Sequence, residues 1–156
     1  MKTFEEYLAL KIIRKQKENP ERAKSLIIEA EKKAVFMIKV IEKFSLQETE
    51  PNFIIENCYD IVLEMIRALL FFAGYNSKNS HEAEVAYLRN LSFSEIDVLF
   101  MDELRYFRNR IKYYGRITEV EYAQKVLDFY KKVYPQLQAK CREISLKGKP
   151  EDAPKS

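Results

Sequence analysis

The chain has 156 residues and a formal net charge of +3, with 47% hydrophobic and 33% charged residues. This length suits one ordinary domain, and the balance excludes a disordered polyelectrolyte. With three glycines and five prolines, the chain has few breakers, so it should be dominated by long helices.

The single histidine and two cysteines are too few for a four-ligand structural zinc site, and no other cofactor is indicated. Cys58 and Cys141 lie inside apolar helical patterns. They read as small buried hydrophobes of a reducing compartment, without a disulfide between them. No run reaches the ~18 apolar residues that span a bilayer. The N-terminus has no basic segment followed by a clean apolar run, so no signal peptide is predicted and the expected location is cytoplasmic.

In chain order, Thr3 and Glu6 form a capping-box pattern opening a short helix, with Phe4, Tyr7, Leu8 and Ile12 on one side. Asn19-Pro20 is a second helix start. The helix that follows carries Ala23, Leu26, Ile27, Ala30, Ala34, Met37, Ile41 and Phe44 at helical spacing. Residues 45–50 read as a polar connection, with Thr49 as the cap of a third helix ending at Gly74.

This third helix is apolar around most of its circumference, as a central helix should be. Its polar stripe is Asn57, Asp60, Glu64 and Arg67, three or four residues apart. That stripe is predicted to stand opposite Arg105 and Arg108 and to orient their guanidinium groups. A solvated or ion-paired polar seam is the plainer alternative.

Residues 76–80 read as a loop, and Ser80 as the cap of a helix to about Leu91. His81, beside that cap, is expected to be exposed and incidental. Ser94 opens a fifth helix with Ile96, Leu99, Leu104, Phe107, Ile111 and Tyr114 inward, and Gly115 stops it. Thr118 and Glu121 form another capping box. Val120, Ala123, Leu127, Tyr130, Tyr134, Leu137, Cys141 and Ile144 then alternate at three and four, with Pro135 expected to kink or break the helix. The domain is predicted to cover 1–146, with residues 147–156 a disordered polar tail. The expected fold is all-α, an up-and-down bundle of four to five helices.

Successive helical residues turn by about 100°. Arg105, Arg108, Asn109, Lys112 and Arg116 therefore gather on one side of the fifth helix, within an arc of about 100°. Arginine forks suit phosphates, and Asn suits a sugar or base edge. Cations at a helix C-terminus also complement the macrodipole without any ligand. Tyr106, Tyr113, Tyr114 and Tyr122 have the chemistry to stack on bases, although packing is the commoner use of such spacing.

The run from Phe107 through Arg108, Asn109, Lys112, Tyr113 and Tyr114 to Gly115 resembles the signature helix of HEPN domains. These are small helical proteins common in prokaryotic toxin–antitoxin and defence systems. The run from Tyr59 to Tyr75 resembles the family's earlier helix. It has an aromatic start, an Arg67-Ala-Leu-Leu70 core and a Gly74-Tyr75 stop, and the Ser80-His81 turn follows. In element order the resemblance covers about residues 20–140.

The resemblance implies a HEPN-like bundle that pairs into a homodimer. It also implies RNA or nucleotide as ligand and a minimal nucleotidyltransferase antitoxin as partner. In active members an Arg and a following polar residue precede a His, and two such motifs cleave RNA without metal. Carried over, Arg108 and Asn109 match the first two positions, while Tyr113 or Tyr114 stands at the histidine position. Unperturbed tyrosine titrates near pH 10, too high for easy proton exchange at neutral pH. The expected protein is thus a catalytically degenerate, RNA-binding HEPN module with Arg105, Lys112 and Arg116 flanking Arg108. The alternatives are a ribonuclease toxin using Arg108 and Tyr113, and a purely protein-binding bundle. By the same resemblance, Tyr113 or Tyr114 is a candidate acceptor for nucleotide groups added by the partner.

Overall fold

A computed structural model describes residues 1–114 and 119–147, with Tyr113 and Tyr114 described by backbone alone. Among the described residues the chain is all-α. Its helices are α1 (Phe4–Ala9), α2 (Pro20–Glu48), α3 (Pro51–Phe72), α4 (His81–Asn90), α5 (Glu95–Tyr114) and α6 (Val120–Lys147). Two short strands, β1 (Arg14–Lys15) and β2 (Tyr75–Asn76), pair antiparallel. No helix among the described residues is long and apolar enough to cross a membrane.

The helix starts follow local chemistry. Thr3 and Glu6 form a reciprocal capping box on α1. The Asn19 side chain caps α2 by accepting from the Arg22 N–H at 3.1 Å, and Pro20 presets the first helical φ. Ser94 caps α5, accepting from the Asp97 N–H at 3.2 Å. The Asp97 carboxylate also takes Lys132 at 2.6 Å and so ties α5 to α6.

The break between α2 and α3 differs from expectation. α2 is two helical pieces joined at a kink, where Ser45 has φ 64° and ψ 163° and the axis turns, and the second piece ends at Glu48. Thr49 does not cap α3. Its hydroxyl donates to the Ser45 carbonyl at 2.6 Å and seals the kink instead. Glu50 is the cap residue of α3, with no side-chain cap bond.

α3 is the central helix, with fourteen of its twenty-two residues buried. It packs against α2 and α6 along its length and against α4 and α5 on its remaining side. It ends at Ala73, and Gly74 follows with φ 79°. A Cβ at Gly74 would stand 2.8 Å from the Gln16 carbonyl oxygen. The Gly74 carbonyl in turn accepts from the Gln16 N–H at 2.9 Å. Glycine therefore both ends α3 and lets the β1 segment close against it.

α6 runs without a break through Pro135. In α5 the core-facing residues are Val98, Met101, Leu104 and Ile111. Ile96 and Leu99, predicted inward, are instead 77% and 53% exposed. The helix carries two apolar stripes, and the second one, Ile96, Leu99 and Tyr106, faces outward. Cys58 and Cys141 are buried free thiols, and burial pushes the Cys141 thiol up to about 12. The Thr118 capping box, Gly115 and the tail from residue 148 lie outside the described residues.

A candidate nucleic-acid interface

The site begins on the flank of α5 that turns toward α3. Arg108 reaches across and donates from Nη2 to Asp60 Oδ1 at 3.3 Å. Its guanidinium carbon lies 5.5 Å from the centre of the Tyr59 ring. Carboxylate and ring come from adjacent residues of α3, so one helix turn fixes the arginine from two directions. Cation–π contact and ion pairing each contribute on the order of 1 kcal/mol when partly shielded from water. The Arg108 side chain is only 14% exposed, whereas Asp60 is 35% exposed. Arg108 is therefore a positioned cation rather than a waving one.

Tyr59 joins this arginine to the single histidine. Tyr59 Oη and His81 Nδ1 share a hydrogen bond at 3.1 Å. His81 is half-buried at the start of α4. Ser80 caps that helix, accepting from the Ala83 N–H at 3.4 Å, as the sequence suggests. Burial holds the His81 imidazole below its ordinary pKa, and the charges of Arg67 and Arg108 add to this against Glu84 and Asp60. This environment favours the neutral imidazole. Burial also raises the Tyr59 phenol well above its ordinary value, so it stays protonated.

The polar stripe of α3 divides among several partners. Asp60 takes Arg108, as expected for a residue orienting that guanidinium. Glu64 instead accepts from Lys33 on α2. Asn57 donates to the Phe53 carbonyl one turn earlier at 2.8 Å. Arg67 turns to α4, where Nε and Nη2 bind the two carboxylate oxygens of Glu84 at 2.6 and 2.9 Å. Glu84 is fully buried and also accepts from the Ser77 hydroxyl at 2.5 Å. This fork, with a third hydrogen bond on the carboxylate, is the geometry that offsets the desolvation of a buried ion pair.

On α5 itself, Arg105 is held within its own helix by Asp102 at 2.8 Å, not by α3. Asn109 is half-exposed and Lys112 is exposed beyond it. Tyr106 projects outward at 59% exposure, with the Arg110 guanidinium carbon 5.7 Å from its ring centre. Tyr122 stacks on Phe107 with ring centres 4.3 Å apart, which commits it to packing rather than to a base. The Tyr113 and Tyr114 side chains and all of Arg116 lie outside the described residues.

The arrangement brings together a fixed arginine, a neutral imidazole, a protonated phenol and a carboxylate. Such a set can hold an anionic oxygen and exchange a proton near neutral pH. Sequence reasoning missed Tyr59, His81 and Glu84. The aromatic residue before Asp60 was the available signal for Tyr59, but a contact between residues 59 and 81 has no periodic signature. Among the described residues no three His, Cys, Asp or Glu side chains gather as a metal-ligand set. No family model, curated protein or solved structure matches the chain.

Proposed function

We propose that the chain is a HEPN-like module that binds RNA or a nucleotide through the inward flank of α5 and works as a homodimer. The observation that carries this reading is the fixing of Arg108 by Asp60 and Tyr59 on a helix flank that also bears Arg105, Asn109 and Lys112. A preset guanidinium loses less freedom on meeting a phosphate than a mobile one. The exposed pair Ile96 and Leu99, one turn apart, with Tyr106 beyond the exposed Glu103 on the same face, supports the dimer, because large apolar side chains left uncovered on a helix suit a partner surface. The minimal nucleotidyltransferase partner rests on the sequence resemblance alone.

Light scattering with the wild-type chain and with Ile96→Glu/Leu99→Glu tests the dimer. The reading expects a dimeric mass for the first and a monomeric mass for the second. Fluorescence anisotropy with a labelled single-stranded RNA tests binding. Loss of affinity in Arg108→Met, with unchanged helical content, supports the reading. An RNA affinity indifferent to Arg108 contradicts it.

A second reading is favoured by the Tyr59–His81 hydrogen bond. In it the protein cleaves RNA, and His81, not Tyr113, exchanges the proton. With Nδ1–H donating to Tyr59 Oη, the neutral imidazole accepts the proton of a 2′-hydroxyl at Nε2 as that oxygen attacks the neighbouring phosphorus. The bond to the 5′-oxygen breaks, and water protonates the leaving oxygen. The products are a 2′,3′-cyclic phosphate and a 5′-hydroxyl, with Arg108 balancing the charge on the phosphorane oxygens. Incubating RNA with the protein in EDTA tests this. Cleavage lost in His81→Gln and kept in Tyr113→Phe supports it, and intact RNA at high protein concentration contradicts it.

A further inference from the structure

A second basic feature, with no residue of α5 in its lining, lies where the start of α2 meets the end of α3 and the loop before α4. Residues of these three segments surround an open pocket of about 420 Å³. Three of its lining side chains are cations, Arg22, Arg67 and Lys78, and none is a carboxylate. The grooves between α2 and α6 differ in that both are lined by Glu31.

The three cations are not equally compensated. Arg67 spends Nε and Nη2 on Glu84, which is buried and does not line the pocket, so its Nη1 edge is unused by that pair. Arg22 and Lys78 have no carboxylate within ion-pair distance among the described residues. Arg22 is nonetheless placed, with its guanidinium carbon 5.3 Å from the centre of the Phe71 ring. Lys78 and Asn79 are consecutive left-handed residues, with φ 52° and 65°. A loop in that conformation costs free energy and is kept only where its surroundings fix it. Here the Lys78 N–H donates to Asn76 Oδ1 at 2.8 Å. Asn19, Asn76 and Asn79 also line the pocket, with Asn76 Nδ2 already donating to Gln16 Oε1 at 3.3 Å.

Concave shape, uncompensated positive charge and neutral amide donors together describe a receptor for an anion larger than a simple ion. Arginine and lysine side chains bind phosphate oxygens by charge-assisted hydrogen bonds, and side-chain amides suit the polar edges of a base or sugar. The volume falls in the range of about 300–1,000 Å³ typical of small-molecule sites. We propose that this pocket binds the phosphate of a nucleotide, with Arg22 and Lys78 as its main charge contacts and Arg67 held ready by Glu84. The ligand is a free mononucleotide or the terminal phosphate of an RNA. The pocket shares Arg67 and Ser77 with the polar network of α3 and α4 and no residue with α5, so the two sites are tested separately.

Calorimetric titration of the full chain with AMP, inorganic phosphate and adenosine tests this. The expected result is saturable AMP binding with Kd near or below about 1 mM, weaker binding of phosphate, and none of adenosine. Arg22→Gln/Lys78→Gln, two exposed positions, should weaken AMP by at least about tenfold through loss of two charge-assisted contacts. The same variant should bind 5′-hydroxyl RNA like the wild type, which separates this site from the flank of α5. Tighter binding of a 5′-phosphorylated RNA than of its 5′-hydroxyl form, lost in the variant, would identify the RNA end as the source. Equal binding of the two RNAs beside saturable AMP binding identifies the free nucleotide. Absence of saturable AMP binding, or an affinity that the double substitution leaves unchanged, overturns the proposal.

Discussion

The phenol of Tyr59 meets the imidazole of His81 at 3.1 Å, across the junction of α3 and α4. The ring of the same tyrosine lies beneath Arg108, so one side chain couples the histidine of α4 to the arginine of α5. The two functions of Tyr59 can be separated by substitution. Tyr59→Phe keeps the ring under Arg108 and removes the hydrogen bond, for a stability loss of about 1 kcal/mol. Tyr59→Leu removes both and some core volume, for a loss of about 2–4 kcal/mol. RNA affinity should follow the ring, falling in Tyr59→Leu and not in Tyr59→Phe. Urea denaturation and anisotropy on the two variants check this pair of outcomes.

His81 is the only histidine, so its titration can be followed by NMR without assignment of overlapping signals. Burial lowers its pKa in the folded chain, and the unfolded value is the ordinary 6.5. Between the two values the unfolded chain binds more protons, so stability rises with pH through that window. The contribution is fully present above the unfolded value and is lost as pH falls through the folded one. The expected titration midpoint lies below 6.5, and His81→Gln should flatten this part of the stability profile relative to wild type. A midpoint above 6.5 would reverse the sign and contradict the assigned environment.

Arg67 and Glu84 form the buried ion pair that positions α4 against α3. Glu84→Ala leaves the guanidinium without its partner and should cost about 3–5 kcal/mol. Arg67→Met leaves the fully buried carboxylate and should cost a similar amount. The double substitution Arg67→Met/Glu84→Met should recover a large part of either loss, since no isolated charge remains. Chemical denaturation of the three variants measures the coupling. Additive losses would contradict it.

Much of the architecture was legible because it is written locally. The Thr3 capping box, the Asn19-Pro20 start and the Gly74 stop each depend on residues within one turn. The choice between two apolar stripes on α5 was not legible. Ile96 and Leu99 have the same helical spacing as the true core residues, and only the neighbouring helices decide which stripe is covered. The kink at Ser45 reads as a connection in the sequence, because a polar run suggests a loop and does not reveal a single left-handed residue joining two helical pieces. Of the site, the flank of α5 and the Asp60–Arg108 pairing could be read from spacing. The place of His81 could not, since it follows from how α4 packs on α3.

The central claim is that the inward flank of α5 meets nucleic-acid phosphates, and the salt dependence of RNA affinity tests it most directly. Each phosphate contact by a cation on a single strand contributes about 0.7 to the slope of log K against log salt. Arg105→Gln/Lys112→Gln should therefore weaken binding and flatten the slope by about 1.4. An RNA affinity and salt slope unchanged by this double substitution would contradict the claim.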